Sequence, residues 1–136
     1  MVVVGAVVAL GVLGLQVYRV THPPRWPDAA VNLGAELAKA EDVTFAAGDG
    51  VRLAGWLLAG TQGKPAIVLC HDLGASKNTL INVAIVLNQA GFTVLAIDFR
   101  DHGGSGGNGS TLGIDESRDV IAAVDFLGRL GAGGGD

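Results

Sequence analysis

The sequence predicts an α/β domain, and three observations predict it. Residues 66–70, AIVLC, and residues 92–99, FTVLAIDF, are short apolar runs almost without polar interruption, as expected of parallel strands covered on both faces. Between them, Ser76 to Ala90 carries apolar residues at 80, 81, 83–87 and 90, with Ser76 or Asn78 placed to cap its start and Gly91 just past its end. A strand-helix-strand unit of this kind calls for parallel strands joined by a right-handed crossover.

The flanking elements follow the same logic. Residues 41–60, EDVTFAAGDGVRLAGWLLAG, give two strand-like runs around Gly48-Asp49-Gly50, and Asp-Gly between such runs is a hairpin signal. Gly63-Lys64-Pro65 supplies the turn into the 66–70 strand. A Gly-rich loop from Arg100 to Gly113 leads to a second helix over 114–130, where Val120, Val124 and Leu127 recur at helical spacing. Asp115 and Glu116 occupy its first turn, where negative charge complements the helix dipole, while Asp119 and Asp125 read as solvated or capping residues without a role. In such sheets ligands sit at the carboxyl ends of the strands, so the loops after residues 70 and 99 are the place to look for a site.

The amino-terminal run is of another kind. Met1 to Leu15 carries no charged side chain, and the apolar character persists to Tyr18 before Arg19. At ~1.5 Å per residue, roughly 18 residues span ~27 Å, close to the ~30 Å hydrocarbon layer. Nothing basic precedes the run and QVYRVTHPP after it offers no small-x-small cleavage site, so the expectation is an uncleaved single-pass anchor over residues 1–18. Arg19 and Arg25 follow the span, which places the next domain in the cytoplasm. Gly5 and Ala9 form a small-xxx-small pair that chance explains in so Gly- and Val-rich a run. The chain thus divides into an anchor (1–20), a linker with Pro23, Pro24 and Pro27 (21–40), an α/β domain (41–130) and a Gly-rich tail (131–136).

Composition removes several functions. With a formal charge of −4 and no cluster among its 9 Lys and Arg residues, the chain offers no nucleic-acid surface. Cys70 is the only cysteine, so no internal disulfide forms, and it reads as a small apolar residue of a buried strand. Cys70 and His71 are neighbours on a strand and point to opposite faces, which rules out a Cys-His pair.

Three features in series carry a resemblance: the DGVRLAGWLL hairpin, the strand ending in CHDLGASK, and the strand ending in DFRDHGGSGG. Together, over residues 41–130, they resemble the amino-terminal part of an α/β-hydrolase sheet, an antiparallel hairpin followed by strand-helix-strand-helix. A leading membrane segment resembles esterase- or peptidase-like members. The resemblance implies that backbone amides of Leu73, with Asp72, belong to an oxyanion hole. It implies that His71, Asp98, Arg100, His102 and Gly103 shape the loops, with His71 not the catalytic base. The substrate it implies is a small-molecule ester or peptide cleaved through an acyl-enzyme, with no cofactor. Asp72 and Asp101 stand where the family commonly has Gly; Asp tolerates left-handed backbone, but a carboxylate beside an oxyanion works against the developing charge.

The nucleophile is the difficulty. Gly103-Gly-Ser105-Gly-Gly107 matches G-x-S-x-G, but Arg100-Asp-His102 separates it from the strand, and no helix starts at Ser105. The histidines, His22, His71 and His102, all precede it, whereas the family's acid and base follow. Ser105 therefore reads as a loop serine at the rim of the site. The expectation is the front part of a membrane-anchored serine hydrolase whose elbow strand, acid and His lie beyond, with the 66–70 strand left unpaired on one side. Two other readings compete: a binding module of the same fold without catalysis, and a metal-dependent hydrolase using His71, Asp72, Asp98, Asp101 and His102. Gly104 to Gly109 also fits G-x-G-x-x-G, but these glycines do not open a helix and Asp125 falls within one, so a dinucleotide site is not expected.

Overall fold

The computed structural model describes residues 2–22 and 39–131, without the side chains of residues 2–4 and 6. The hairpin forms as its sequence requires: β1 (Glu41–Ala46) pairs antiparallel with β2 (Arg52–Leu58), Val43 opposite Gly55. Gly50 takes a left-handed φ of +85° in the turn, where its N–H donates to Ala47 O. β2 pairs antiparallel with β4 (Thr93–Ile97), which pairs parallel with β3 (Ala66–Cys70), so the sheet order is β1-β2-β4-β3.

Two helices cover opposite faces. α2 (Ile81–Gln89) sets Ile81 and Ala84 against Trp56, Leu58 and Val94. On the other face, α3 (Glu116–Arg129) sets Ala122, Ala123 and Leu127 against Phe45, Leu53, Leu95 and Ile97. The alternation of Val94 and Leu95 between these two clusters is the strand period of two at work. Burial of these apolar side chains, at ~25 cal/mol per Å2, is the main stabilising term.

Burial on both faces, expected of both apolar strands, is met in β4 and not in β3. Residues 66–69 are half-buried and Cys70 is exposed, because β3 ends the sheet order and its outer edge faces a groove of about 620 Å3. Cys70 is thus no buried core residue. Val124, expected on the buried stripe of the second helix, lines the same groove beside Pro65, Ala66 and Val68 and is exposed. The buried stripe runs through Glu116, Asp119, Ala122, Ala123 and Leu127 instead.

The expected helix over Ser76–Ala90 begins with a 3-10 turn, Lys77–Leu80, and becomes α-helical at Ile81. Ser76 makes no side-chain cap; Lys77 N donates to Asp98 Oδ1 at 2.7 Å, so the start of this segment is capped from another loop. Gly91 closes the helix with φ +94°, its N–H on Asn88 O, as the sequence suggests.

The amino-terminal run forms α1 (Val2–Thr21), whose described side chains before Thr21 are exposed. Among the described residues no helix is long and apolar enough to cross a membrane, so the anchor expected over residues 1–18 finds no support there. The proline linker, Arg25 and residues 132–136 lie outside the described residues.

Candidate functional site

Parallel pairing puts the carboxyl ends of β3 and β4 side by side, and the loops leaving them are interlocked. His71, after β3, accepts the N–H of Phe99 at Nε2 (3.1 Å), so its proton is on Nδ1 and is given to Asp72 O at 2.7 Å. His102, after β4, does the reverse: its Nε2 accepts Gly74 N–H (3.1 Å) and its Nδ1 donates to Arg100 O at 2.9 Å. Burial, the leading influence, lowers the His71 pKa; the Asp72 carbonyl opposes it and His102 adds to it. Both rings are committed to backbone, which leaves neither a nitrogen for base catalysis. Each ring bonds the backbone of both loops, the arrangement a loop-shaping histidine would have.

Asp98 closes the lower part of the site. Its carboxylate accepts Lys77 N, Lys77 Nζ (2.7 Å) and Gly104 N (2.9 Å), with Lys77 and Asp98 both buried. The Lys77 ammonium also lies 4.9 Å from the Trp56 ring centroid. Gly103, at φ +46°, packs so closely on this carboxylate that a Cβ would collide with it. Arg100 pairs with Asp119 Oδ1 at 2.7 Å and with Asp49 Oδ2 at 2.8 Å, tying the loop to α3 and to the hairpin turn. Asp49 is held at about 2, chiefly by its hydrogen bonds from Arg100. Asp119, read from sequence as solvated or capping, is fully buried in this pair.

Ser105 is 1% exposed; its Oγ donates to Asp98 O at 2.6 Å and accepts Ala54 N–H at 2.9 Å. It lies beneath the loop and not at its rim, pinning it to β2. Asp101 adopts φ +61°, the left-handed backbone expected of it, and is buried; Asp72 is exposed, and in its loop the left-handed residue is Gly74.

Above these fixtures opens a pocket of about 330 Å3 lined by His71, Asp72, Leu73, Phe99, Leu112 and Glu116, among others. Among the described residues no acceptor takes the N–H of Asp72 or of Leu73. Two adjacent amides on a braced loop can hold a developing negative oxygen. Glu116, in the first turn of α3, is buried and accepts Ser110 Oγ, Thr111 N, Thr111 Oγ1 and Gly113 N. Burial alone would raise its pKa, but these bonds hold it at about 2.

Among the described residues no serine or cysteine side chain bonds a histidine, and no group of three or more His, Cys, Asp and Glu is placed to hold a metal. The set of His71, Asp72, Asp98, Asp101 and His102 fails as a metal site because both imidazoles are spent on backbone and Asp98 on Lys77. The glycines 104–109 lie in the loop before α3 and open no helix. Lys77, Asp119 and Glu116 escaped sequence reasoning as site-building residues. Glu116 sits where a dipole-facing acid belongs, and nothing in the sequence marks the other two as buried.

No family model matches the chain. The Pyrococcus furiosus esterase Pf2001 superposes with a TM-score of 0.70 at 30% identity, over 79% of this chain and 42% of the esterase. The sheet and its helices resemble the α/β-hydrolase fold. Epoxide hydrolase A of Mycobacterium thermoresistibile shares it at a TM-score of 0.55 and 28% identity, covering 68% of this chain and 28% of that one. Among curated proteins, the polyketide transferase ATR5 of Stachybotrys chlorohalonatus is 37% identical over 92 residues, 65% of this chain and 31% of its own. The chain spans about a third of the length of the curated relatives it matches (32% and 31%). In this hydrolase-like frame, the braced loop and its two amides occupy the carboxyl ends of adjacent parallel strands.

Proposed function

We propose that residues 41–130 form the oxyanion-stabilising side of a serine-hydrolase site that cleaves an ester or amide through an acyl-enzyme. One observation carries this reading: the N–H groups of Asp72 and Leu73 stand without an acceptor among the described residues, on a loop braced by two histidines beside a pocket. In the step they serve, the nucleophile oxygen bonds to the carbonyl carbon and the π pair moves onto the carbonyl oxygen. The two amides hold that oxyanion until the pair returns and the leaving group departs with a proton. Each fixed donor supplies ~3 kcal/mol, because it is aligned before the charge appears. The nucleophile, acid and base come from residues other than His71, His102 and Ser105, whose polar atoms are engaged in the framework.

In the same proposal, the apolar run of residues 1–18 as a whole is a single-pass anchor, with the α/β domain on the cytoplasmic side. Its exposed apolar side chains on all sides, such as Val8, Leu10, Leu13 and Val17, and the absence of charge before Arg19 support this. Recovery of the native protein in the alkaline-carbonate supernatant would remove it.

The hydrolytic reading is tested on the full native gene product with p-nitrophenyl esters. Leu73→Pro deletes one amide donor and lowers kcat by ~100-fold or more, whereas Leu73→Ala keeps the donor and most of the activity. Equal activity in both variants would dismiss the oxyanion role. A second reading, a binding module without turnover, is favoured by the engaged Ser105 and histidines; labelling of the native protein by a fluorophosphonate excludes it.

A further inference from the structure

The loop of residues 71–75, which offers the Asp72 and Leu73 amides, is tied to the segment after β4 through imidazoles. Phe99 N–H is held by His71 Nε2 and Gly74 N–H by His102 Nε2, each at 3.1 Å. Among the described residues, the other hydrogen bonds of this loop are local, from Ala75 N to Asp72 O at 3.0 Å and from His71 Nδ1 to Asp72 O at 2.7 Å. The next tie to the β4 segment, Lys77 to Asp98, lies beyond Ala75.

A neutral imidazole accepts at one nitrogen and an imidazolium at none. Each ring already donates at Nδ1, so a further proton arrives only at Nε2, where it sets N–H against N–H. Both Nδ1 partners are carbonyls, Asp72 O and Arg100 O, and among the described residues no carboxylate bonds either ring. The ring centroids are 5.0 Å apart, so charge on one opposes charge on the other. Of the charged groups around the pair, Asp98 is engaged by Lys77, Arg100 by Asp49 and Asp119, and Glu116 of α3 by its four donors. Asp72 is exposed to water, and Asp101 is buried beside His102 on the same loop. Burial is the leading influence on His71 and disfavours its charged form; the Asp72 carbonyl and the Asp98 and Asp72 carboxylates oppose it. Both rings line the pocket, through which water reaches them.

We infer that His71 and His102 are an acid-released latch: protonation of the pair frees residues 71–75 from β4 and withdraws the Asp72 and Leu73 amides while the sheet stays folded. Control of hydrolysis by this latch rests on the hydrolytic reading above; the latch itself does not. Its signature is steepness. A freed imidazole takes up its proton near pH ~6.5, so below that value the released loop gains ~10-fold in population per pH unit for one proton and up to ~100-fold for two. The bond of Asp98 N–H to Ala54 O, which joins β2 to the end of β4, has no titrating acceptor and no such dependence.

The test is amide hydrogen exchange in the full native gene product, 15N-labelled and followed by NMR from pH 7.5 to 5.5, with each rate corrected for its intrinsic pH dependence. Protection of the Phe99 and Gly74 amides is expected to fall by 10-fold or more per pH unit below 6.5, with that of Asp98 unchanged. Constant protection at residues 74 and 99, or a fall shared equally by Asp98, overturns the latch whether or not the protein is an enzyme. His71→Gln, which accepts without titrating, is expected to remove one proton from the steepness, and His102→Gln likewise; slopes unchanged in both overturn the assignment to these rings. With p-nitrophenyl acetate, a single catalytic base loses at most ~10-fold in rate per pH unit. The native protein is expected to lose more than that, reversibly on return to pH 7.5, and a limit of 10-fold overturns control of hydrolysis by the latch. Absence of hydrolysis at every pH defeats the hydrolytic reading and that control with it, while the exchange data decide the latch.

Discussion

His71 and His102 exchange hydrogen bonds across two loops: each accepts, at Nε2, a backbone N–H from the segment that carries the other, with ring centroids 5.0 Å apart. The pair fixes the loop bearing Asp72 and Leu73 to the end of β4. It works only while both imidazoles are neutral, since a proton on Nε2 would face a donor.

The brace therefore weakens in acid. The folded pKa of His71 lies below its ordinary 6.5, so its contribution is fully present above that value. As the pH falls through 6.5 and then through the folded value, the unfolded chain takes up the proton first and stability is lost. Thermal unfolding followed from pH 7.5 to 5 should show a falling Tm. His71→Gln, which keeps an acceptor toward Phe99 N–H without titrating, should flatten the fall; an unchanged slope would separate the acid response from this ring.

Lys77 and Asp98 are both buried, and removal of one leaves the other charge without its partner. Lys77→Met should cost ~3–5 kcal/mol in denaturant unfolding. The double variant Lys77→Met, Asp98→Asn should recover part of that loss; strictly additive costs would mean the pair is not coupled.

Ser105→Ala tests whether this serine reacts or supports. It loses a donor to Asp98 O and an acceptor for Ala54 N–H, and it should destabilise by ~1–3 kcal/mol. Fluorophosphonate labelling of the native gene product should persist in the variant, and its disappearance from folded protein would make Ser105 the nucleophile.

In the proposed oxyanion hole, Asp72 carries its carboxylate on a residue whose amide is one of the two donors. A unit charge ~4 Å away in exposed surroundings is worth ~1 kcal/mol, so Asp72→Asn should raise kcat by roughly 5-fold with little change in KM. Loss of activity would give the carboxylate a direct part in the reaction.

Much of this was legible in the sequence. The Asp-Gly hairpin, the apolar 93–97 strand, Gly91 at a helix end and a left-handed Asp101 are local properties, and each is found where its residues require. Asp119 was misread, because an acid three positions past Glu116 on a helix looks the same whether water or Arg100 meets it. The half-exposed β3 and the exposed Cys70 were misread for a related reason: burial depends on a neighbouring strand, and an apolar run does not say which strand stands beside it.

By itself the sequence determined the order of elements, the crossover and the two loops that matter, since these follow from periodicity, turn chemistry and chirality within short stretches of chain. Only the tertiary structure decided what those loops do. The histidine exchange joins residues 71 and 74 to 99 and 102, the Lys77–Asp98 pair bridges 21 positions, and Arg100 reaches Asp49 across 51. Such contacts depend on where β3 and β4 come to lie side by side, and that is settled by packing of the whole sheet against its two helices.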